Sequence, residues 1–233
     1  LSFRGAYHGK FERAVAAACE RTHGVLTSSG TTALAAAYHA AGLGGKRVLA
    51  PTLTYVATVN QLIGVGATPV LVDCNYDLQM DLDQVRAALR EGAAEAVVAA
   101  PLYGDCPDMG ELETLCRSHG VPLVVDAAEA FGADFGGRPV ASFGDVATLS
   151  FFANKLVTCG EGGAVVTDDP HLAASVLSYV NHATIPGYRH TSAVATNARL
   201  TNLQAAVGLA QLEGVGAVLA DKKRVLDEYA TLL

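Results

Sequence analysis

The chain has no Cys-x-x-Cys pair, and its cysteines are odd in number: Cys19, Cys74, Cys106, Cys116 and Cys159. That argues against a thiol-held zinc site or a disulfide framework, and it suits free thiols in a reducing cytoplasm. The seven histidines are scattered, with no pair at ligand spacing beside a carboxylate, so no metal site is expected. The net charge is −7 and the basic residues form no stripe, so nucleic acid is not an expected partner. No apolar run approaches the roughly 18 uncharged residues of a membrane helix, and no signal-peptide pattern is present. No Gly-x-Gly-x-x-Gly follows a strand, since Gly64-Val65-Gly66 lacks a third glycine, and there is no Walker A motif. The missing fingerprint weakens a dinucleotide-binding reading. Internal repeats and low-complexity linkers are also missing.

What remains is a chain of 233 residues, 51% hydrophobic and 17% charged. That is enough to bury a core, as one α/β domain or one large domain with a piece of a second. Apolar runs near Val25, Arg47, Pro69, Ala96, Val121, Val146 and Gly163 read as seven strands. Helical patterns lie between them, over residues 10–22, from the Ser28–Leu34 stretch to about Ala41, up to Gly64, Asp81 to Glu91, Met109 to His119 and Pro170 to Asn181. In the first, Phe11, Val15 and Ala18 form the apolar side. Two more helices follow, one ending near Leu212 and one over 218–232. Near-continuous apolar strands alternating with helices predict a largely parallel sheet covered on both faces. The stretch 182–196, with Pro186, Gly187, Tyr188, Arg189 and His190, reads as a long irregular loop, a length that is usually functional or mobile.

Several positions carry chemistry. Ser28-Ser29-Gly30-Thr31-Thr32 opens a helix whose unpaired first amides make an anion site, although a plain capped helix has the same pattern. Tyr55 follows a strand end, where it serves either as a platform for an aromatic ring or as a core residue. Asp126 ends the apolar strand Val121–Val125, where it is either a helix cap or a buried carboxylate in need of a partner. A protonated pyridine nitrogen would be such a partner. Lys155 stands between a strand and the glycine-rich turn Gly160-Glu161-Gly162-Gly163. Alone it fits a surface lysine. On a bent internal connection it fits the lysine that forms a Schiff base with pyridoxal phosphate (PLP).

Six motifs occur together in one order: Ser29-Gly30-Thr31, Asp126-Ala127-Ala128-Glu129-Ala130, Ser142-Phe143-Gly144-Asp145, Ser150 to Lys155, Gly160 to Gly163, and Leu200 to Ala206. In this the chain resembles the DegT/DnrJ/EryC1/StrS sugar aminotransferases, from Gly5 to Glu213. The resemblance implies a fold-type I PLP enzyme. Its large domain would be a three-layer αβα unit spanning 1–233, with about seven mostly parallel strands and the start of a connecting helix. It implies Lys155 and Asp126 as catalytic residues, the second pairing with the ring nitrogen. Gly30, Thr31, Thr32 and Ser150 would hold the phosphate, and Tyr55 would stack on the ring. Glu129, where many members carry Gln, would lie near the phenolic oxygen. Asn197 would reach the phosphate of a neighbouring subunit's PLP, making a homodimer with shared sites.

Asp-x-Ala-Glu-Ala, Ser-Phe-Phe-x-Asn-Lys and Thr-x-Gly-Glu-Gly-Gly are most similar to perosamine-synthase-type 4-aminotransferases. These implied substrates are L-glutamate and a nucleotide-linked 4-keto-6-deoxyhexose. Two departures stand out. The aromatic-Asn-aromatic-Arg pattern is here Thr196-Asn197-Ala198-Arg199. The chain also starts at Leu1 without methionine and stops at Leu233, so a small C-terminal domain is expected to be missing from it. Rival readings are a sugar 3-dehydratase, which would carry histidine in place of Lys155, another fold-type I PLP enzyme with a non-sugar acceptor, and a catalytically inert PLP-fold partner protein. The absence of a catalytic-looking cysteine loop argues against a desulfurase, and Cys159 is expected to be a packing residue.

Overall fold

The computed structural model describes residues 5–184 and 194–233. Most of the loop predicted over 182–196, including Pro186 to His190, lies outside the described residues. All seven expected strands form one sheet: β1 (His23–Thr27), β2 (Arg47–Pro51), β3 (Thr68–Val72), β4 (Ala96–Ala99), β5 (Leu123–Asp126), β8 (Val146–Ser150) and β9 (Gly163–Thr167). Their order is β1-β9-β8-β5-β4-β2-β3. Only β9 runs against the rest, pairing antiparallel with both β8 and β1. A two-stranded ribbon, β6 (Asp134–Phe135) and β7 (Arg138–Pro139), was not foreseen from the sequence. β5 begins two residues later than the apolar run suggested, because the Val121 amide still bonds back to Cys116 of the preceding helix and Pro122 has no amide to give the ladder.

The helices are α1 (Ala6–Ala18), α2 (Gly30–Ala40), α3 (Val56–Gly64), α4 (Leu82–Arg90), α5 (Met109–His119), α6 (Pro170–Val180), α7 (Asn202–Glu213) and α8 (Val215–Leu232). Five starts are fixed by side-chain caps: Ser29, Asp81, Asp108, Asp169 and Thr201 each accept a first-turn amide. α1 corrects the expected 10–22 helix by starting and ending four residues earlier. Its buried face is Phe11, Val15 and Ala16, continued by Cys19, while Ala18 is exposed. Beyond the helix, Arg21 is drawn off to donate to the carbonyls of Ala141, Phe143 and Gly144 and to Asp168. α8 starts three residues before the expected Val218.

Two cores confirm the three-layer αβα architecture. Val48, Ala50, Val124, Val146 and Val165 face α2, α3 and α6. Their neighbours Leu49, Leu123, Val125, Ala147, Leu149, Ala164 and Val166 face α1, α4, α5 and α7. Alternate side chains point to opposite faces and both faces are covered, so the strands are apolar throughout.

α7 lies against α1 where Gly208 meets the buried Phe11 ring, and a Cβ there would come within 2.5 Å of two ring atoms. Alanine would add helix propensity of about 1 kcal/mol, but Phe11 has no room to retreat. Gly208→Ala should therefore destabilise the fold by about 1–2 kcal/mol net. A lower urea midpoint with an unchanged slope would establish this, and an unchanged or raised midpoint would refute it.

Candidate active site

The carboxyl ends of β1, β2, β4, β5 and β8, on one side of the sheet, contribute to a single cavity of about 390 Å³. Its wall includes Ser29, Gly30 and Thr31 after β1, Thr54 and Tyr55 after β2, and Ala100 to Leu102 after β4. Asp126, Ala128 and Glu129 come from the end of β5, and Ser150, Asn154 and Lys155 from the end of β8. The chain steps outward from β2 to β3 and then crosses back to β4. A crevice opens outside the carboxyl ends at such a reversal.

The anion-binding end of the cavity depends on two glycines. A Cβ on Gly30 would lie 2.8 Å from the Ser150 Cβ, and one on Gly163 would lie 2.5 Å from the Ser29 carbonyl oxygen. With no Cβ at either position the start of α2 descends onto the adjoining ends of β8 and β9, where Ser150 pairs with Gly163. Ser29 and Thr32 form a reciprocal capping box. Ser29 Oγ accepts from the Thr32 amide at 3.1 Å, and Thr32 Oγ1 accepts from the Ser29 amide at 3.0 Å. The Ala33 amide goes to the Ser29 carbonyl. The amides of Gly30 and Thr31 remain at the cavity, at the positive end of the helix dipole. The Thr32 hydroxyl is thus engaged in the cap and is not part of the cavity wall.

Asp126 lies at the cavity floor, 6% exposed. Its Oδ2 accepts from Thr58 Oγ1 at 2.7 Å, and its Oδ1 from the Ala128 amide at 3.3 Å and Thr148 Oγ1 at 3.4 Å. Burial holds its pKa above the ordinary aspartate range, against these three donors and the charge of Lys155. It is not a helix cap, because no helix follows β5 directly.

Lys155 sits on a tied loop. Phe151 donates its amide to Gly162, Cys159 to Phe151, and Lys155 to Phe152. Gly160 takes a left-handed φ of 83° at the turn, and a Cβ on Gly162 would come within 2.6 Å of the Cys159 sulfur. Lys155 Nζ, half-buried, is 3.3 Å from Glu129 Oε1. Cys159 is a packing residue as expected: it is buried, donates to the Glu161 carbonyl, and burial pushes its thiol up to about 11. Tyr55 stands at the mouth, 68% exposed, at the N-cap of α3. Asn197 is exposed and does not line this chain's own cavity. Its segment is laced beside α2 all the same, with the Ser28 amide donating to Ala198 at 2.7 Å and the Ala198 amide to Val180 at 3.0 Å. Ala198 is buried at this contact.

The structure thus gathers seven predicted residues around one cavity, Gly30, Thr31, Tyr55, Asp126, Glu129, Ser150 and Lys155, and leaves Thr32 and Asn197 off its wall. Sequence reasoning missed the hydroxyl partners of Asp126. A threonine inside the apolar strand Val146–Ser150 and another at Thr58 were signals, because buried hydroxyls need partners. A helix end free for a phosphate, an amine for an aldehyde and a buried carboxylate for a basic ring nitrogen match the constitution of PLP.

The raised pKa of Asp126 has a thermodynamic sign. The folded state binds this proton more tightly than the unfolded state, so the group costs stability as pH rises from the ordinary aspartate range through the folded-state value. Asp126→Asn should therefore stabilise the cofactor-free protein at neutral pH, with the difference closing as the medium becomes acid enough to protonate aspartate in both states. Urea unfolding across pH measures it, and a variant less stable than the native protein at neutral pH would contradict the burial argument.

The chain is 41% identical to the GDP-perosamine synthase of Caulobacter vibrioides over 98% of its length, covering 62% of that protein. Against the GDP-perosamine synthase of Vibrio cholerae it is 39% identical over its whole length, covering 64%. The structure of DesI in the presence of its TDP-sugar product superposes with a TM-score of 0.86 at 38% identity, over 94% of this chain and 56% of that one. The chain therefore spans less than two thirds of the length of these relatives. The sequence profile of one family matches residues 1–233 without a break. By that match and these identities, the chain belongs to the DegT/DnrJ/EryC1/StrS aminotransferase family.

Proposed function

We propose that this chain forms the PLP-binding large domain of an aminotransferase that moves an amino group from L-glutamate to a nucleotide-linked 4-keto-6-deoxyhexose. The observation that carries the reading is the convergence of Lys155, Asp126 and the open end of α2 on one cavity. Relatives named GDP-perosamine synthase and a neighbour solved with a TDP-sugar support the substrate class. In this reading α8 is the start of the helix that leads out of the large domain.

PLP, when bound, supplies an electron sink for the carbanion formed at the substrate α-carbon. The rest falls to the protein. The Gly30 and Thr31 amides hold the phosphate, with the Ser150 hydroxyl at the β8 end. Thr32 contributes by fixing the cap that aims those amides. Asp126 accepts the ring N–H, which gives its buried charge the partner it otherwise lacks. Tyr55, at the mouth, would stack on the ring. Lys155 Nζ would be the amine that holds the cofactor aldehyde and the base that moves the α-proton. Glu129, 3.3 Å from it, orients that amine. Asn197 faces out of its own site and is offered to the site of a second subunit, which makes the working unit a homodimer. The five free cysteines and the glutamate donor favour a cytoplasmic setting. Among the described residues, no single helix is long and apolar enough to cross a membrane.

The test is the visible spectrum of the full-length protein with PLP, before and after L-glutamate. An absorption band that glutamate bleaches supports the donor half of the reaction, and a band that glutamate leaves untouched removes glutamate as donor. Lys155→Ala should show no bleaching and no turnover. Turnover retained in that variant would overturn the role given to Lys155.

A further inference from the structure

Three threonines reach Asp126 or its neighbours from different elements. Thr58, fully buried in the first turn of α3, donates to Asp126 Oδ2 at 2.7 Å. Its oxygen is also 2.9 Å from Thr54 Oγ1, one turn earlier on the cavity wall. A hydroxyl has one proton. With the Thr58 proton committed to the carboxylate, Thr54 supplies the bond between the two hydroxyls. Donation then runs Thr54 to Thr58 to Asp126. The Tyr38 hydroxyl donates to the Thr58 carbonyl at 3.1 Å and pins that turn from α2. The third threonine, Thr148, reaches the other carboxyl oxygen at 3.4 Å, so the Thr58 contact is the short one.

We propose that Thr58, oriented by Thr54, is a positioning residue that keeps the Asp126 carboxylate ionised, so that the proton shared with a cofactor ring nitrogen stays on the nitrogen. The proposal rests on the reading that Asp126 meets the PLP ring. A proton between a carboxylate and a pyridine settles on the stronger base. Burial strengthens the carboxylate as a base, and each donated hydrogen bond weakens it. Burial is the larger influence on Asp126 in the empty cavity. The cation of Lys155 acts with the donors, but Lys155 is itself paired with Glu129. The remaining titratable neighbour, the Tyr38 phenol, bonds Thr58 rather than Asp126. Thr58 is therefore the contact whose loss most favours transfer of the proton to the carboxylate.

The experiment is nitrogen NMR of the full-length protein loaded with PLP labelled with ¹⁵N at the ring. The native protein should give the signal of a protonated ring nitrogen. Thr58→Val, equal in shape but without the hydroxyl, should move the signal toward the neutral-pyridine position, and Thr58→Ser should restore it. Thr54→Val, at the cavity wall and outside the core, should move it the same way by less. The donor half-reaction of Thr58→Val should slow roughly tenfold, the scale of one hydrogen bond to a charged group. A protonated signal unchanged in both valine variants would overturn the role of the hydroxyls and leave the Asp126 reading standing. A neutral ring nitrogen in the native protein would overturn the Asp126 reading as well.

Discussion

The carboxyl group of Asp126 is buried at the end of a strand covered on both faces. A charge there is tolerated only if protein dipoles replace the lost solvent. Thr58, Thr148 and the Ala128 amide do so, and each is held by a different part of the fold: the first turn of α3, the interior of β8, and the bend after β5. The sheet order is what brings them together. β8 lies beside β5 in register, so that Thr148 pairs with Asp126, while α3 lies on the face that Val124 shares. A change in strand order or register would leave this carboxylate unsolvated.

The second constraint is the approach of α2 to the adjoining ends of β8 and β9. A helix N-terminus can come this close to strand ends only where no side chain stands between them. Gly30 and Gly163 remove the two Cβ atoms that would hold them off. The antiparallel β9 contributes here as well. By folding back on β8 it closes the lysine loop between Ser150 and Gly163. Amine and anion-binding end thus share one anchoring point.

Much of this was legible in the sequence, for physical reasons. The seven strands showed as apolar runs because both faces of the sheet are buried. Helix starts showed because Asp81 and Asp169 are cap residues with a local, readable function. Asp126, Lys155 and the glycine turn stood out because charge and glycine are anomalous beside buried strands. The start of α1 was misplaced because the exposed Tyr7 and the partly buried His8 give no apolar period, and its end because the buried Cys19 continues the apolar side after the helix has stopped. Thr32 read as a ligand because a cap and an anion site use the same residue types. Thr58 went unnoticed because its partner is 68 residues away in the chain, and no local pattern records a tertiary hydrogen bond.

The link from Tyr38 to the Thr58 carbonyl joins the helix that ends at the anion-binding amides to the helix that holds the carboxylate. Its phenol is fully buried, and burial followed by the nearby Asp126 charge keeps its pKa well above the usual tyrosine range. Raised in this way, the phenol stays in its donor form as the pH climbs past the usual tyrosine range. The tie between the two helices is therefore one that added base leaves in place.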